Sequence, residues 1–332
     1  MIFHAGANFL EGGFIGADIF FVLSGFLITT LLIQEFNRSE SINLRNFYIR
    51  RVLRLGPGFC AMLLVFCFVS FAVLGGEKAN RNYIDALISL AYLSNWARAF
   101  SIHPPDFLGH TWTLAIEEQF YIVWPIFMLM LLRISKKRHK VALITATIAL
   151  ISWMLRVYLT MNGALPDRMY NGLDTRADAL MVGCTLGIVF SSGMLSRNAR
   201  KIVQKLLIIM APLSASCLLT FSTLVYWRDQ RMYYYGFFAV ELLTAVLILD
   251  ILVNQRSAIR KFFSMKWLVW VGTISYGLYI WHYPIFRTMR ALGFSDLNVI
   301  TIGTFATFFI AAISYYSMER PVLRLKKRFT SV

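Results

Sequence analysis

The sequence is poor in charged residues, and in acidic residues above all. Only 15% of its 332 residues are charged, with 17 Asp and Glu against 33 Lys and Arg, whereas soluble domains carry about a quarter. Its four cysteines lack paired spacing, so neither a disulfide framework nor a metal site is expected. Internal repeats and low-complexity linkers are also missing. These absences argue against an ordinary soluble domain.

Apolar runs make up most of the chain instead. Hydrophobic residues account for 58% of the sequence, and the mean hydropathy is +0.61. Runs long enough to cross a bilayer recur from end to end. The predicted spans are 14–34, 57–74, 112–132, 141–160, 175–192, 203–225, 234–253, 267–290 and 297–317. We therefore predict an all-α polytopic membrane protein with about nine complete transmembrane helices, and residues 1–11 as the tail of a truncated first helix.

The net charge of +16 is explained by membrane topology and gives no indication of nucleic-acid binding. Most lysines and arginines lie in five short clusters at the same end of alternating spans. The clusters are residues 38–54, 133–140, 197–205, 256–266 and 320–328. Because basic clusters usually face the cytoplasm, we place all five on that side of the membrane. We therefore predict a multi-pass protein of the inner (plasma) membrane, with both ends of the intact protein cytoplasmic. Residues 83–99 do not fit a crossing, and we interpret them as an interfacial or re-entrant helix.

Polar residues gather at the outward ends of the predicted spans. They are His4, Asp18, His110, Glu117, Glu118, Arg168, Asp174, Arg176 and Asp178. Water at a helix end would explain any one of them. Five different segments contribute, however, and carboxylates near the membrane edge need a partner, a water-filled cavity or a proton. Together they predict a polar site inside the membrane protein.

A second polar layer, YIRRVLRLGP at residues 48–57, contains Arg50, Arg51 and Arg54. These arginines either anchor the chain to anionic lipid or form a cytoplasmic phosphate-binding patch. The glycines of GGFIGADIFFVLSGFLIT, residues 12–29, either allow close helix packing or line a path for a slender ligand. We interpret His282, in ISYGLYIWHYP at residues 274–284, as a packing residue, and Glu319 as the partner of a neighbouring arginine.

In their order along the chain, these motifs resemble the membrane-bound acyltransferase 3 family, of the kind that O-acetylates bacterial surface polysaccharides. The matching stretches are FHA at 3–5, residues 12–29 and 48–57, HTWTLAIEEQFYIVWP at 110–125, DTRADALMVG at 174–183, residues 274–284 and SMERP at 317–321. The resemblance covers nearly the whole chain as one integral membrane domain, 1–332. The esterase-like C-terminal domain frequent in the family, or any other soluble domain, is not expected.

The resemblance implies that an acyl group passes from cytoplasmic acyl-CoA, with acetyl-CoA as the expected donor, to a hydroxyl of an extracytoplasmic glycan or glycolipid. The candidate catalytic residues are His4, Asp18, Trp112, Thr113, Glu117, Asp174, Arg176 and Asp178. The candidate donor-binding residues are Arg50, Arg51 and Arg54. His4 matches the family's first-helix histidine and would act as general base. Thr113 stands where the family usually has serine.

Further roles in the candidate site are implied but remain open. Glu117 or an aspartate would orient the His4 imidazole or position the acceptor. Trp112, Thr113 or Arg176 would donate to the oxyanion of the reacting carbonyl.

Two other functions remain as alternatives. A transporter or flippase of a glycan or anionic substrate would use the same polar residues, although its usual internal repeats are missing. An inactive relative is the other possibility. The family carries an Arg or Lys about ten residues before its first-helix histidine, and this sequence starts three residues before His4.

Overall fold

The computed structural model of the chain describes residues 1–6, 10–74, 76–135, 137–194 and 196–326. In these ranges the chain forms helices and no β-strand, which confirms the all-α prediction. The α-helices are α1 (Gly16–Ser39), α2 (Leu44–Val69), α3 (Gly76–Leu90), α4 (Ser94–Ala99), α5 (Trp112–Ile134), α6 (Arg138–Met161), α7 (Pro166–Asn171), α8 (Leu173–Ser191), α9 (Arg197–Leu224), α10 (Phe237–Val253), α11 (Ala258–Phe263), α12 (Lys266–Thr273), α13 (Ser275–Ala291), α14 (Asp296–Asn298), α15 (Thr304–Ser314) and α16 (Arg320–Lys326). Short 3₁₀ segments cover Ile2–Ala5, Gly13–Ile15 and Gly109–Thr111, and π-helical segments cover Ser70–Leu74, Met232–Gly236, Val299–Gly303 and Tyr315–Glu319.

Within the described ranges, seven helical segments are long and apolar enough to cross a membrane. They are Gly13–Ser39, Leu44–Ala72, Gly109–Ile134, Arg138–Met161, Arg197–Leu224, Met232–Val253 and Asp296–Leu325. The predicted span 175–192 corresponds to α8, and the predicted span 267–290 corresponds to two helices, α12 and α13, separated at Ile274. Neither belongs to the seven, so the count of about nine remains a prediction.

Helix α2 begins well before the predicted start of its span at residue 57. The side chain of Asn43 accepts a hydrogen bond from the backbone N–H of Asn46 at 2.9 Å and so caps the helix. Pro57 lies inside the helix, as prolines do where neighbouring groups satisfy the freed backbone carbonyl. The arginine-rich stretch is therefore helical and continuous with the apolar part.

Residues 83–99 fall in α3 and α4, which are joined by a turn at Tyr92 with a left-handed φ of 54°. At about 1.5 Å per residue, α3 rises roughly 22 Å, short of the ~30 Å hydrocarbon core. This break agrees with a segment that does not cross, and its position at the membrane surface remains a prediction.

The chain divides into two compact units, which are described separately. The first comprises Met1–Asn8, Asn43–Gln119 and Val269–Val332, and the second comprises Phe9–Ile42 and Phe120–Leu268. In the first unit, α2 packs against α3, α13 and α16. Phe59, Met62 and Ile280 lie in its buried apolar core.

In the second unit, α8 packs against α1 and α6, and α10 packs against α9 and α1. A Cβ atom at Gly25 would lie 2.1 Å from the carbonyl oxygen of Leu180, and one at Gly183 would lie 2.0 Å from that of Val22. Both distances are far inside van der Waals contact, so only glycine fits. The packing interpretation is confirmed at Gly25, which leaves no space there for a ligand path.

Candidate active site

His4 lies in the first unit on the 3₁₀ segment Ile2–Ala5. Ala5, which follows it, is fully buried and packs against Phe286 and Val299. Arg290 Nη1 donates a hydrogen bond to the carbonyl oxygen of His4 at 3.0 Å. The backbone next turns at Gly6, where φ is +88° and a Cβ atom would lie 2.7 Å from Arg290 Nη2. Packing on one side and an arginine on the other thus fix the position of His4.

Three imidazole rings meet around His4. The ring centroids of His4 and His282 are 5.3 Å apart, and those of His110 and His282 are 5.4 Å apart. Tyr283 contacts the other faces, at 4.9 Å from His4 and 5.0 Å from His110. His110 and His282 are both buried. Among the described residues, no group of His, Cys, Asp or Glu could hold a metal ion, so the three rings form a contact cluster without metal-site geometry.

Tyr279 connects this cluster to the start of α5. Its hydroxyl donates a hydrogen bond to the carbonyl oxygen of His110 and accepts one from Thr113 Oγ1. Trp112, Thr113 and Glu117 are all buried, and Glu117 follows Thr113 by one helical turn. Four of the eight candidate catalytic residues, His4 among them, are therefore in the first unit.

The other four candidates are in the second unit, and three of them belong to a buried ionic cluster. Arg176 donates to Asp18, and Arg156 Nη1 lies 2.6 Å from Asp178 Oδ2. The fifth member is Glu241, with Oε1 4.0 Å from Arg156 Nη2. All five side chains are fully buried. Two guanidinium groups and three carboxyl groups thus lie together out of contact with solvent, where each arginine has a carboxylate partner.

Aromatic rings complete the surroundings of this ionic cluster. The guanidinium carbon of Arg176 lies 4.0 Å from the centre of the Phe237 ring, and that of Arg156 lies 5.5 Å from it. The Tyr170 ring is 5.3 Å from Arg176. Cation–π contacts of this kind gain strength where water is excluded.

Asp174 is outside the ionic cluster, although it precedes Asp178 by one turn of α8. Arg168 binds its carboxylate with two hydrogen bonds, Nη1 to Oδ1 at 2.9 Å and Nη2 to Oδ2 at 2.5 Å. The Asp174 side chain is 38% exposed, whereas that of Asp178 is fully buried. The two aspartates are therefore in different environments despite sharing a helix face.

The arginine patch lies in the first turns of α2. Arg50 and Arg51 are half-buried and Arg54 is exposed. Arg51 interacts electrostatically with Glu118, and Arg54 with Glu319. Glu319 also accepts a hydrogen bond from Ser314 at 3.3 Å. The pairing of Glu319 with a neighbouring arginine remains a prediction, and Arg54 is the residue whose exposure suits it to a phosphate.

Sequence reasoning missed three members of these clusters. Arg156 and Glu241 lie inside the predicted spans 141–160 and 234–253, where a charged residue within an apolar run was the available signal. His282 was interpreted as a packing residue, and no spacing indicated that His4 would be its neighbour.

The long apolar helices are those of a multi-pass membrane protein. The contacts of the His4, His110 and His282 rings form an imidazole site within it. The chain belongs to the acyltransferase 3 family, since the family model described as an acyltransferase domain matches residues 2–318. No solved structure matches the chain.

Among curated proteins, the chain is similar to peptidoglycan O-acetyltransferase OatA of Listeria monocytogenes, with 36% identity over 96% of this chain and 53% of the relative. The putative peptidoglycan O-acetyltransferase YrhL of Bacillus subtilis is 34% identical over 96% of this chain and 52% of the relative. O-acetyltransferase OatA of Staphylococcus aureus is 35% identical over 97% and 54%. The chain spans about half the length of these relatives.

Proposed function

We propose that the chain is a membrane O-acetyltransferase that moves an acetyl group from acetyl-CoA to a hydroxyl group of a cell-wall glycan, with peptidoglycan as the acceptor. The observation that carries the proposal is the half-buried imidazole of His4, whose backbone is held by Arg290 and whose ring lies against that of His282, in a chain of the acyltransferase 3 family. The acceptor class comes from the relatives, two of which are described as peptidoglycan O-acetyltransferases.

In the proposed reaction, the acceptor hydroxyl oxygen attacks the thioester carbonyl carbon of acetyl-CoA. His4 takes the hydroxyl proton as general base, the bond from carbon to sulfur breaks, and the CoA thiolate leaves with that proton. The products are an O-acetyl ester and CoA thiol. A neutral imidazole suits this step because it accepts a proton near neutral pH.

The developing oxyanion needs hydrogen-bond donors. We assign the Trp112 indole N–H as a candidate donor, while the Thr113 hydroxyl is engaged with Tyr279. We assign Thr113 to holding the start of α5 against Tyr279, and Glu117 to positioning the acceptor. In the second unit, Asp18, Arg176 and Asp178 serve in the ionic cluster that holds α1, α6, α8 and α10 together, and Asp174 holds Arg168.

We place the donor at the arginine patch on the cytoplasmic side of the inner membrane. Arginine forks pair well with phosphate oxygens. Arg50 and Arg54 are one helical turn apart, so both can face the phosphates of CoA at the same time. Arg51, beside Glu118, is placed to hold the patch together.

The test uses membrane vesicles that contain the chain, acetyl-CoA labelled in the acetyl group, and soluble peptidoglycan fragments. We expect acetyl ester to appear on the glycan. His4→Gln should lower kcat by about 10²–10⁴-fold, the usual contribution of a general base, and membrane insertion should remain normal. His139→Gln, at an exposed histidine of α6, is the matched control and should keep full activity.

Two outcomes would contradict the proposal. Wild-type rates in His4→Gln would remove His4 as the base. A wild-type chain that moves glycan across the vesicle membrane without forming ester would instead support the transporter function.

A further inference from the structure

His282 is a buried histidine to which the proposed reaction has so far assigned no part. Its side chain lies on α13, and its ring is beside the rings of His4 and His110. Nε2 is buried and, among the described residues, has no hydrogen-bond partner. A buried polar atom of this kind costs the free energy of a hydrogen bond unless a donor is directed at it.

Hydrogen bonds to the backbone determine the tautomer of His282. Nδ1 lies 2.6 Å from the carbonyl oxygen of Tyr279 and 3.1 Å from that of Leu278. Carbonyl oxygens only accept hydrogen bonds, so Nδ1 carries the hydrogen. In the neutral ring Nε2 is then unprotonated, and its lone pair is available to accept.

His4 is well placed to donate to that lone pair. At a centroid separation of 5.3 Å, two imidazoles can share a hydrogen bond directly or through one water. The unpaired, buried Nε2 of His282 is an acceptor close to an N–H of His4 among the described residues.

We propose that His282 is a positioning residue for acetyl transfer. Its Nε2 accepts a hydrogen bond from one ring nitrogen of His4 and leaves the other ring nitrogen of His4 unprotonated and directed at the acceptor hydroxyl. The arrangement follows the general rule that a base needs a third group to orient it, with an imidazole in the place usually taken by a carboxylate. The inference rests on the proposed function.

Two substitutions separate this role from simple packing. In His282→Asn, the side-chain amide reaches the position of Nδ1 and can still donate to Tyr279, but no acceptor remains at the position of Nε2. In His282→Gln, the longer side chain can place its carbonyl oxygen near the position of Nε2. If the lone pair matters, Gln will retain more activity than Asn. If only the bond to Tyr279 matters, the order will be reversed.

The experiment measures kcat and KM for acetyl-CoA in the vesicle assay, with His4→Gln in parallel. We expect His282→Asn to lower kcat by about 10²-fold or more with KM for acetyl-CoA unchanged, and His282→Gln to restore part of the loss. Full kcat in His282→Asn, or Asn more active than Gln, would overturn the inference. Wild-type transfer that does not depend on His4 would overturn the proposed function instead.

A second measurement does not depend on turnover. In protein labelled with ¹⁵N in its histidines, the inference requires Nε2 of His282 to be unprotonated and its chemical shift to change in His4→Ala. A protonated Nε2, or a shift that is the same in His4→Ala, would overturn the inference even in a chain without activity.

Discussion

Arg156 and Asp178 face each other between α6 and α8, with 2.6 Å between Nη1 and Oδ2 and both side chains fully buried. Glu241 approaches the other side of the same guanidinium group, with 4.0 Å between Oε1 and Nη2. The Arg156 guanidinium group is thus shared by the side chains of Asp178 and Glu241, neither of which is exposed to solvent. Removal of that cation would leave the buried Asp178 carboxylate without its ionic partner, which is much costlier than loss of an exposed ion pair.

We therefore predict that Arg156→Met lowers the free energy of unfolding by about 3–5 kcal/mol. The matched control is Arg168→Met, which breaks the partly exposed pair with Asp174 and should cost about 0–1 kcal/mol. Denaturant unfolding of the purified protein in detergent measures both. Equal losses in the two variants would contradict the difference between the pairs.

Helix contact at Gly25 leads to a second prediction. A Cβ atom there would meet the carbonyl oxygen of Leu180 at 2.1 Å, so Gly25→Ala must push α1 and α8 apart. We expect a loss of about 1–3 kcal/mol or more in unfolding free energy, as for other overpacked sites. Gly16→Ala is the control on the same helix, because a Cβ atom there meets nothing within 4 Å. Equal unfolding free energies for Gly25→Ala and Gly16→Ala in denaturant unfolding would contradict the close contact between α1 and α8.

The arginine patch gives a prediction about the donor. Arg50→Ala combined with Arg54→Ala should weaken acetyl-CoA binding by at least about tenfold, because each charged hydrogen bond contributes about 1.5–3 kcal/mol. Acceptor binding should be unchanged. Arg197→Ala with Arg200→Ala removes two exposed arginines of α9 and serves as the control for general loss of charge. Donor affinity that is unchanged in the first variant would support lipid anchoring by Arg50 and Arg54.

A fourth prediction concerns pH and the segment that contains α3 and α4. Asp85 is buried, and it accepts hydrogen bonds from the backbone N–H of Asp106 at 2.9 Å and from His103 Nε2 at 2.9 Å. Burial raises the pKa of the Asp85 carboxyl above its ordinary value of 3.8, although the bonds from Asp106 and His103 oppose the shift. The folded state therefore holds this proton more tightly than the unfolded state does.

It follows that the contribution of Asp85 to stability is fully present below pH 3.8 and is lost as the pH rises through the raised pKa. Hydrogen exchange of the Asp106 amide, corrected for its intrinsic rate at each pH, should become faster over that range. Asp85→Asn should remove the dependence, because its amide does not titrate. The same pH profile in both proteins would exclude Asp85 as the cause.

Much of the fold follows from the position of apolar runs. The predicted spans 112–132 and 141–160 fall within α5 and α6, and the predicted span 14–34 falls within the helical segment Gly13–Ser39, which contains α1. The start of α2 was predicted too late because arginines and Pro57 resemble a boundary, whereas the helix continues through them from the cap at Asn43. Neither a proline nor an interruption of the apolar run marks the helix break at Ile274 in the sequence. One span was therefore predicted where the structure has two helices, α12 and α13.

The candidate site was harder to predict, because its contacts join residues far apart in the chain. His4 and His282 are at opposite ends of the sequence, and their contact depends on how α13 packs against the first six residues. The partners of the aspartates also depend on packing. Asp174 and Asp178 differ by one helical turn, yet one binds an arginine on α7 and the other an arginine on α6.

The ionic cluster of the second unit also bears on how the protein enters the membrane during synthesis. Arg156 on α6 and Glu241 on α10 are ionisable residues inside apolar segments, and such a residue raises the insertion free energy of a lone helix, by about 2.5–3.5 kcal/mol at the helix centre and by less toward its ends. Each charge is neutralised only after helices made earlier or later in translation have arrived. The cluster therefore makes insertion of α6 and α10 a cooperative event, and a chain that stops short of α10 leaves Arg156 with only one of its two carboxylates.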